Sequence, residues 1–207
     1  MPIKNIIFDF GDVFIDLDKT FVFKQMPVDD QEAREHLQLV NEKYEVGAIT
    51  TVDFLDGIQS IYPQASHEEL KNIWNRMLLG YPDYRLEFIE NLATTHKYRL
   101  FLLSNTNELH IENVAQQMGD SKYRRFKSCF ERFYLSHEIG LRKPNTDIFE
   151  FVLRQNRLSP DETLFIDDTL EHTLTAKSLG IHTWHLKVDE DVVDLKNHID
   201  TYNNLTQ

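Results

Sequence analysis

The sequence predicts an α/β fold in which a parallel sheet layered with helices is interrupted, after its first strand, by a helical insertion. Three observations carry this. From about residue 85 onward, short apolar runs alternate with helix-period segments, the pattern of strands joined by right-handed crossover helices. A first apolar run, residues 3–8, stands apart from those runs. Between them lies a polar stretch, roughly residues 20–90, rich in Glu, Gln and Leu, with apolar residues at helical spacing.

Residues 3–8 are short, rich in Ile and Phe, and followed by Asp9, which predicts a strand buried on both faces. In the insertion Leu37, Val40 and Tyr44, and later Leu70, Ile73, Trp74, Met77 and Leu78, recur with a helical period. Ser66 followed by Glu69 predicts a capping box at a helix start. Gly47 breaks the period and predicts a loop. A helix over about 85–95 precedes a second strand at 98–103, and another helix starts near Glu108. A strand at 133–135, a helix at 146–156, a strand at 164–166, a helix at 172–179 and a last short strand at 183–186 complete the pattern. The division expected is 1–17 and 86–207 for the sheet unit and 18–85 for the insertion.

Composition narrows the function classes. A chain of 207 residues holds one sizeable core and a smaller module. Its net charge of -12 disfavours a nucleic-acid partner, because phosphate backbones are bound through Lys and Arg. Cys129 is the single cysteine, so no intrachain disulfide or cysteine-rich zinc site can form, which fits a reducing compartment. The first apolar run is broken by Asp9, Asp12 and Asp16, unlike a signal peptide, and no run is long and apolar enough to span a bilayer. The expectation is a soluble cytoplasmic protein with no membrane or nucleic-acid partner; no pattern speaks to its oligomeric state.

In open parallel sheets, ligands bind outside the carboxyl ends of the strands. The residues there are Asp9 after strand one, Ser104 and Asn105 after strand two, Lys143 after strand three, and Asp167 and Asp168 after strand four. Asp9 with the acidic pair forms a hard oxygen site suited to magnesium, which favours carboxylates, water and substrate phosphate. Such an ion neutralises the repulsion between a carboxylate nucleophile and an anionic ester. Ser104 and the backbone N–H of Asn105 can donate to phosphate oxygens, and Lys143 adds a point charge. A nucleophile, a metal and a phosphate clamp are what phosphoryl transfer needs.

Asp9-Phe10-Gly11-Asp12-Val13, Leu103-Ser104-Asn105-Thr106, Lys143-Pro144 and Phe165-Ile166-Asp167-Asp168 together resemble the four ordered motifs of the haloacid dehalogenase superfamily, spanning from near residue 3 to near residue 180. The resemblance implies a Rossmann-like core with an α-helical cap inserted between the first two motifs. It implies a magnesium-dependent hydrolysis of a small phosphorylated metabolite through an aspartyl-phosphate. Asp9 is then nucleophile and metal ligand, and Gly11 a ligand through its carbonyl. Ser104 and Lys143 hold phosphate. Asp168 is a direct ligand, with Asp167 in support.

One position departs from the superfamily's common phosphatase pattern. Two residues after the nucleophile, where those enzymes carry an Asp as general acid and base, stands Gly11; Asp12, one position on, points elsewhere. The Asp-x-Gly-x-Val form resembles a subgroup that includes sugar 1-phosphate phosphatases, whose leaving oxygen needs less protonation. General acid help is worth about 10²–10⁴-fold, so the gap biases substrates toward good leaving groups or toward protonation from elsewhere. His172 is expected to support the acidic pair. His110 and His137 are read as ordinary surface or core residues, and Asp16 and Asp18 as hinge or surface residues. Glu45-Val46-Gly47-Ala48-Ile49 resembles a cap loop that faces the active site. Two other readings stand beside the phosphatase: a metal-independent haloacid dehalogenase, and a member that binds metal or a partner without turnover.

Overall fold

The computed structural model describes residues 2–28 and 30–205. In chain order the elements are β1 (Asn5–Phe8), β2 (Asp16–Leu17), α1 (Phe21–Gln25), α2 (Gln31–Glu45), α3 (Thr51–Ile61), α4 (His67–Asn75), β3 (Leu78–Gly80) and α5 (Asp83–Thr94). They continue with β4 (Arg99–Ser104), α6 (Glu108–Met118), α7 (Asp120–Ser128), β5 (Arg132–Leu135), α8 (Ser136–Ile139) and α9 (Thr146–Asn156). The last are β6 (Thr163–Asp167), α10 (Leu170–Ser178), β7 (His182–His185) and α11 (Leu195–Leu205).

Five strands form one parallel sheet in the order β5-β4-β1-β6-β7. The chain builds outward from β1 through β4 and β5, then crosses back to β6 on the other side of β1. That reversal makes the end of β1 a topological switch point, where an open α/β sheet leaves a crevice. All four residues of β1 are buried, as a central strand covered on both faces requires. Side chains alternate by the two-residue period of a strand. Ile6, Phe8, Leu100, Leu102, Leu164 and Ile166 pack on one face with α5–α7 and α11, while Ile7, Phe101, Leu103 and Phe165 pack on the other with α9 and α10.

Helices α1–α4 bury their apolar faces mainly on one another, in a cluster built around Phe54, Ile58, Leu70 and Trp74. Their starts are fixed locally. Asp30 caps α2, and Thr50–Asp53 and Ser66–Glu69 form capping boxes at α3 and α4. Gly47 lies in the loop between α2 and α3 at φ +66. A Cβ there would sit 2.3 Å from the backbone oxygen of His137, so only glycine allows this loop to seat on the core.

The helical period read through Leu78 ends earlier than expected. α4 stops at Asn75, and Leu78 lies in β3, which pairs antiparallel with β2. These two short strands form a flap between the sheet and the inserted helices, and Leu78 packs with the sheet's cluster. Three residues cannot show a two-residue alternation, so the flap was hidden behind the neighbouring helix period. The expected division after residue 85 falls inside α5, whose Leu86 and Ile89 also pack against the sheet. Helices α7, α8 and α11 also lie outside the sequence reading. Among the described residues, no helix is long and apolar enough to cross a membrane.

Candidate active site

Asp9 follows β1, and its N–H still donates to Ile166 O of β6 at 2.8 Å. The loop after it turns tightly: Asp12 N–H donates to Ile15 O at 2.7 Å and Phe14 N–H to Phe10 O at 2.9 Å. Phe10 and Phe14 anchor the loop in an aromatic cluster, with ring centroids 5.3 and 5.1 Å from that of Phe126. Such pairs contribute about 0.5–1.5 kcal/mol each beyond burial. The nucleophile candidate therefore stands on a rigid base.

Lys143 is 0% exposed. Its Nζ lies 2.8 Å from Asp9 Oδ1 and 2.6 Å from Asp167 Oδ2. The backbone of Lys143 is fixed from β4: its N–H donates to Asn105 Oδ1 at 2.9 Å, and its carbonyl accepts from Asn105 Nδ2 at 2.8 Å. The Asn105 side chain thus holds the lysine. Ser104 Oγ makes only a long 3.4 Å contact with Asn105 O, and both residues line the cavity above Asp9.

Asp167 ends β6 fully buried. Besides Lys143 it meets His172 Nδ1 at 3.0 Å and accepts from the Thr169 N–H at 2.7 Å. Asp168 turns to the cavity, and its Oδ2 meets Lys19 Nζ at 2.6 Å. One oxygen each from Asp9, Asp167 and Asp168 lie within 4.8 Å of one another. An all-oxygen donor set this close suits a hard divalent cation such as Mg²⁺ better than a softer transition metal.

The two buried carboxylates flanking Lys143 are driven apart. Burial raises Asp9 to about 6, with Asp167 adding to the rise and Lys143 opposing it. Burial also opposes ionisation of Asp167, but Lys143 and His172 outweigh it and bring this group down to about 2. A nearby cation would favour the ionised form of Asp9 as well.

The cavity over Asp9 has a volume of about 360 Å³. Asp9, Gly11, Ser104, Asn105 and Asp168 line it from the sheet side, and Lys19, Glu45 and Met77 from the inserted side. Lys143 stands behind Asp9 rather than on this wall, its ammonium paired with Asp9 and Asp167. At Gly11, a Cβ would lie 2.8 Å from Leu17 Cδ1, so the β2 leucine fills the volume a side chain there would need. Asp12 is no replacement. It sits at φ +51, its Oδ1 accepts from the Leu17 N–H at 2.9 Å, and its Oδ2 pairs with Lys19 at 2.9 Å.

A model of the haloacid dehalogenase-like hydrolase family matches residues 3–180. The chain belongs to this family. A curated relative, D-ribitol-5-phosphate phosphatase of Bacteroides thetaiotaomicron, is 28% identical over 189 residues, which cover 88% of this chain and 91% of the relative. Among solved structures, a haloacid dehalogenase family enzyme of the same organism, bt-2542, in complex with magnesium and inorganic phosphate, superposes with a TM-score of 0.80. It is 34% identical, covering 93% of this chain and 98% of that one. A predicted haloacid dehalogenase-like hydrolase of Porphyromonas gingivalis gives a TM-score of 0.79 at 30% identity, covering 100% of this chain and 99% of that one.

Within the family's fold, a Rossmann-like core with a helical cap, the lesser residues find their places. His172 supports Asp167. Asp16 pairs with Arg85 at 2.8 Å, and Asp18 accepts from the N–H of Thr20 at 3.0 Å, so both serve the chain's exit toward the cap. His110 donates from Nε2 to Trp74 O at 3.3 Å and accepts on Nδ1 from Asn107, while burial lowers its pKa to about 4; it is neutral. Two charged residues on the cavity escaped the sequence reading. Lys19 bridges Asp12 and Asp168, and Arg142 reaches across to Glu45 at 3.0 Å and Glu42 at 3.3 Å on the cap. Arg142 stands beside Lys143, but its partners are a hundred residues away, and no local pattern announces them.

Proposed function

We propose that this chain is a magnesium-dependent phosphatase acting on a small phosphorylated sugar or polyol through an aspartyl-phosphate on Asp9. The observation that carries it is the Asp9 carboxylate at the sheet's switch point, paired with buried Lys143 and within 4.8 Å of two further carboxylates. The relatives fit this reading: one is named a D-ribitol-5-phosphate phosphatase, and another was solved with magnesium and phosphate.

Asp9, the Gly11 carbonyl and Asp168 would hold Mg²⁺, which when bound neutralises charge between the nucleophile and the phosphate. Ser104 and the Asn105 N–H grip the phosphate oxygens, and Lys143 adds positive charge from behind the nucleophile. Asp9 Oδ attacks phosphorus as the bond to the alcohol oxygen breaks. The bonding pair leaves with that oxygen, which takes its proton from water or from the substrate, since neither Gly11 nor Asp12 supplies one. Water then cleaves the acyl-phosphate and restores Asp9. The inserted helices α1–α4 form the cap that closes the site from solvent, and the sheet with its flanking helices, α5 included, is the catalytic unit.

The test is phosphate release from a panel of sugar and polyol phosphates. Turnover is expected with magnesium, absent with EDTA, and lost by at least about 10³-fold in Asp9→Asn. Full activity in Asp9→Asn would sink the mechanism. Chloride release from a 2-haloacid without metal would favour the dehalogenase reading, and magnesium and phosphate binding without turnover a non-catalytic member.

A further inference from the structure

In an in-line displacement the attacking and leaving oxygens stand on opposite sides of phosphorus. The water that cleaves an aspartyl-phosphate therefore enters across from Asp9, where the alcohol stood, and a base for its proton belongs on the inserted side of the cavity. Gly11 has no side chain, and Asp12 is spent on the Leu17 N–H and Lys19. Among the described residues that line the cavity, the carboxylates are Asp9, Asp168 and Glu45, and Glu45 alone comes from the inserted helices. The other titratable groups there are unsuited. Lys19 is paired with Asp12 and Asp168. His110 has both ring nitrogens engaged, Nε2 with Trp74 O and Nδ1 with Asn107 Nδ2. His172 stands on the core beside Asp167, and Arg142 keeps its proton throughout.

Glu45 closes α2, and its side chain is 16% exposed. Arg142 Nη2 and Nε lie 3.0 and 3.2 Å from its Oε2, and Asn41 Nδ2 donates to its Oε1 at 3.2 Å. Three donor nitrogens thus hold the two oxygens. An ionised carboxylate offers about four lone-pair sites, so one stays open for a water. A carboxylate in the last turn of a helix also meets the negative end of the helix dipole, so helix stability does not ask for one there.

We propose that Glu45 is the base of the second half-reaction, taking a proton from the water that cleaves the aspartyl-phosphate. The inference rests on the phosphatase reading above and adds the group that activates its water. The water oxygen forms a bond to phosphorus as one of its protons passes to the Glu45 carboxylate. The bond from phosphorus to Asp9 Oδ breaks, and its electron pair returns to the Asp9 carboxylate. Glu45 releases the proton to solvent as phosphate leaves. Arg142 and Asn41 are positioning residues that keep the carboxylate in place on the cavity wall. The two halves of the reaction then differ: the alcohol departs without a protein acid, whereas the water attacks with the help of a protein base.

Rapid-quench kinetics with saturating p-nitrophenyl phosphate and magnesium separate the halves, because nitrophenolate leaves without a proton. Glu45→Gln is expected to release nitrophenolate in a burst approaching one equivalent, followed by a steady state about 10²-fold slower than wild type. Acid-quenched Glu45→Gln should carry a phosphoryl adduct on Asp9, seen by mass spectrometry of the intact protein and removed by hydroxylamine. Glu45→Asp draws the carboxylate back by one methylene; it should accumulate the same adduct, and it serves where Glu45→Gln fails to fold. Arg142→Met leaves the carboxylate present but unheld, and a smaller accumulation is expected. A Glu45–Arg142 pair that only docks the cap predicts instead an equal rise in KM in Glu45→Gln and Arg142→Met, with no adduct in either. That result, or a steady state in Glu45→Gln as fast as wild type, would overturn the proposal. Failure of the phosphatase reading looks different: wild-type protein with magnesium then leaves p-nitrophenyl phosphate and sugar phosphates alike intact, and the proposal falls with it.

Discussion

At the scale of the residue, one lysine and two carboxylates carry most of the site's electrostatics. Asp9 is held near 6 by burial, so the metal-free folded protein keeps a proton there that the unfolded chain releases. Its contribution to stability is therefore lost as pH rises from about 4 to about 6, and the ionised, buried group remains a liability above that. Asp9→Asn mimics the protonated form. In the absence of metal it is expected to stabilise the protein at pH 7.5 by roughly 3 kcal/mol, and the difference should vanish below pH 4 in denaturant titrations. Asp167 has the opposite sign: its depressed pKa adds stability above about pH 4 that is lost as pH falls toward 2. Lys143 joins the pair. Lys143→Met strands two buried carboxylates, and a loss of roughly 3–5 kcal/mol is expected from chemical denaturation at pH 7.5; a loss under 1 kcal/mol would mean the carboxylates find other partners. These groups were legible in the sequence as strand-end residues. Their pairing was not, because which carboxylate a buried ammonium meets depends on strands 24 and 134 residues apart in the chain.

At the scale of the element, the flap formed by β2 and β3 and the loop at Gly47 decide how the cap meets the core. Leu17 on β2 fills the space beside Gly11. Gly11→Asp, introduced to restore an acid, presses only on the end of the half-buried Leu17 side chain, so it is expected to leave the thermal melt within a few degrees of wild type and turnover no higher. Gly47→Ala meets a harder obstacle, since its Cβ would collide with backbone at His137 and the φ of +66 disfavours any side chain. Its expected signature is a raised KM alongside destabilisation, read from steady-state kinetics, because the loop that follows Glu45 at the end of α2 can no longer seat. The long elements were readable from period alone: α9 spans the residues its apolar spacing marked, and each sheet strand falls within a residue or two of its apolar run. The flap strands, two and three residues long, hold too few side chains to write a period.

At the scale of the molecule, the sheet and the cap have separate apolar clusters, joined through Met77 of the flap segment, the Gly47 loop, a small set of polar contacts and one helix. In the proposed site a divalent cation held by Asp9 and Asp168 would tie the ends of β1 and β6 together and bind only the folded state. Magnesium at 100 times its Kd is expected to add about 2.7 kcal/mol of stability, reversed by EDTA. The gain should shrink below pH 6, where Asp9 binds a proton in competition; a gain independent of pH between 5 and 7.5 would argue against Asp9 as a ligand. The order of strands and insertion was legible because each boundary carries a change of period. The docking was not, because it rests on contacts such as Arg142 with Glu45 that no neighbouring residue foreshadows. The helix is α6, which begins just past Ser104 and Asn105. Its Leu109 packs inside the cap's cluster, the Leu109 N–H donates to Tyr44 Oη at 3.2 Å, and His110 stacks on Trp74 at 5.6 Å. The two modules therefore do not part cleanly along the chain. A cap transplanted from this protein onto a relative's core must carry residues 107–111 with it, or it arrives with a hole where its own interior should be.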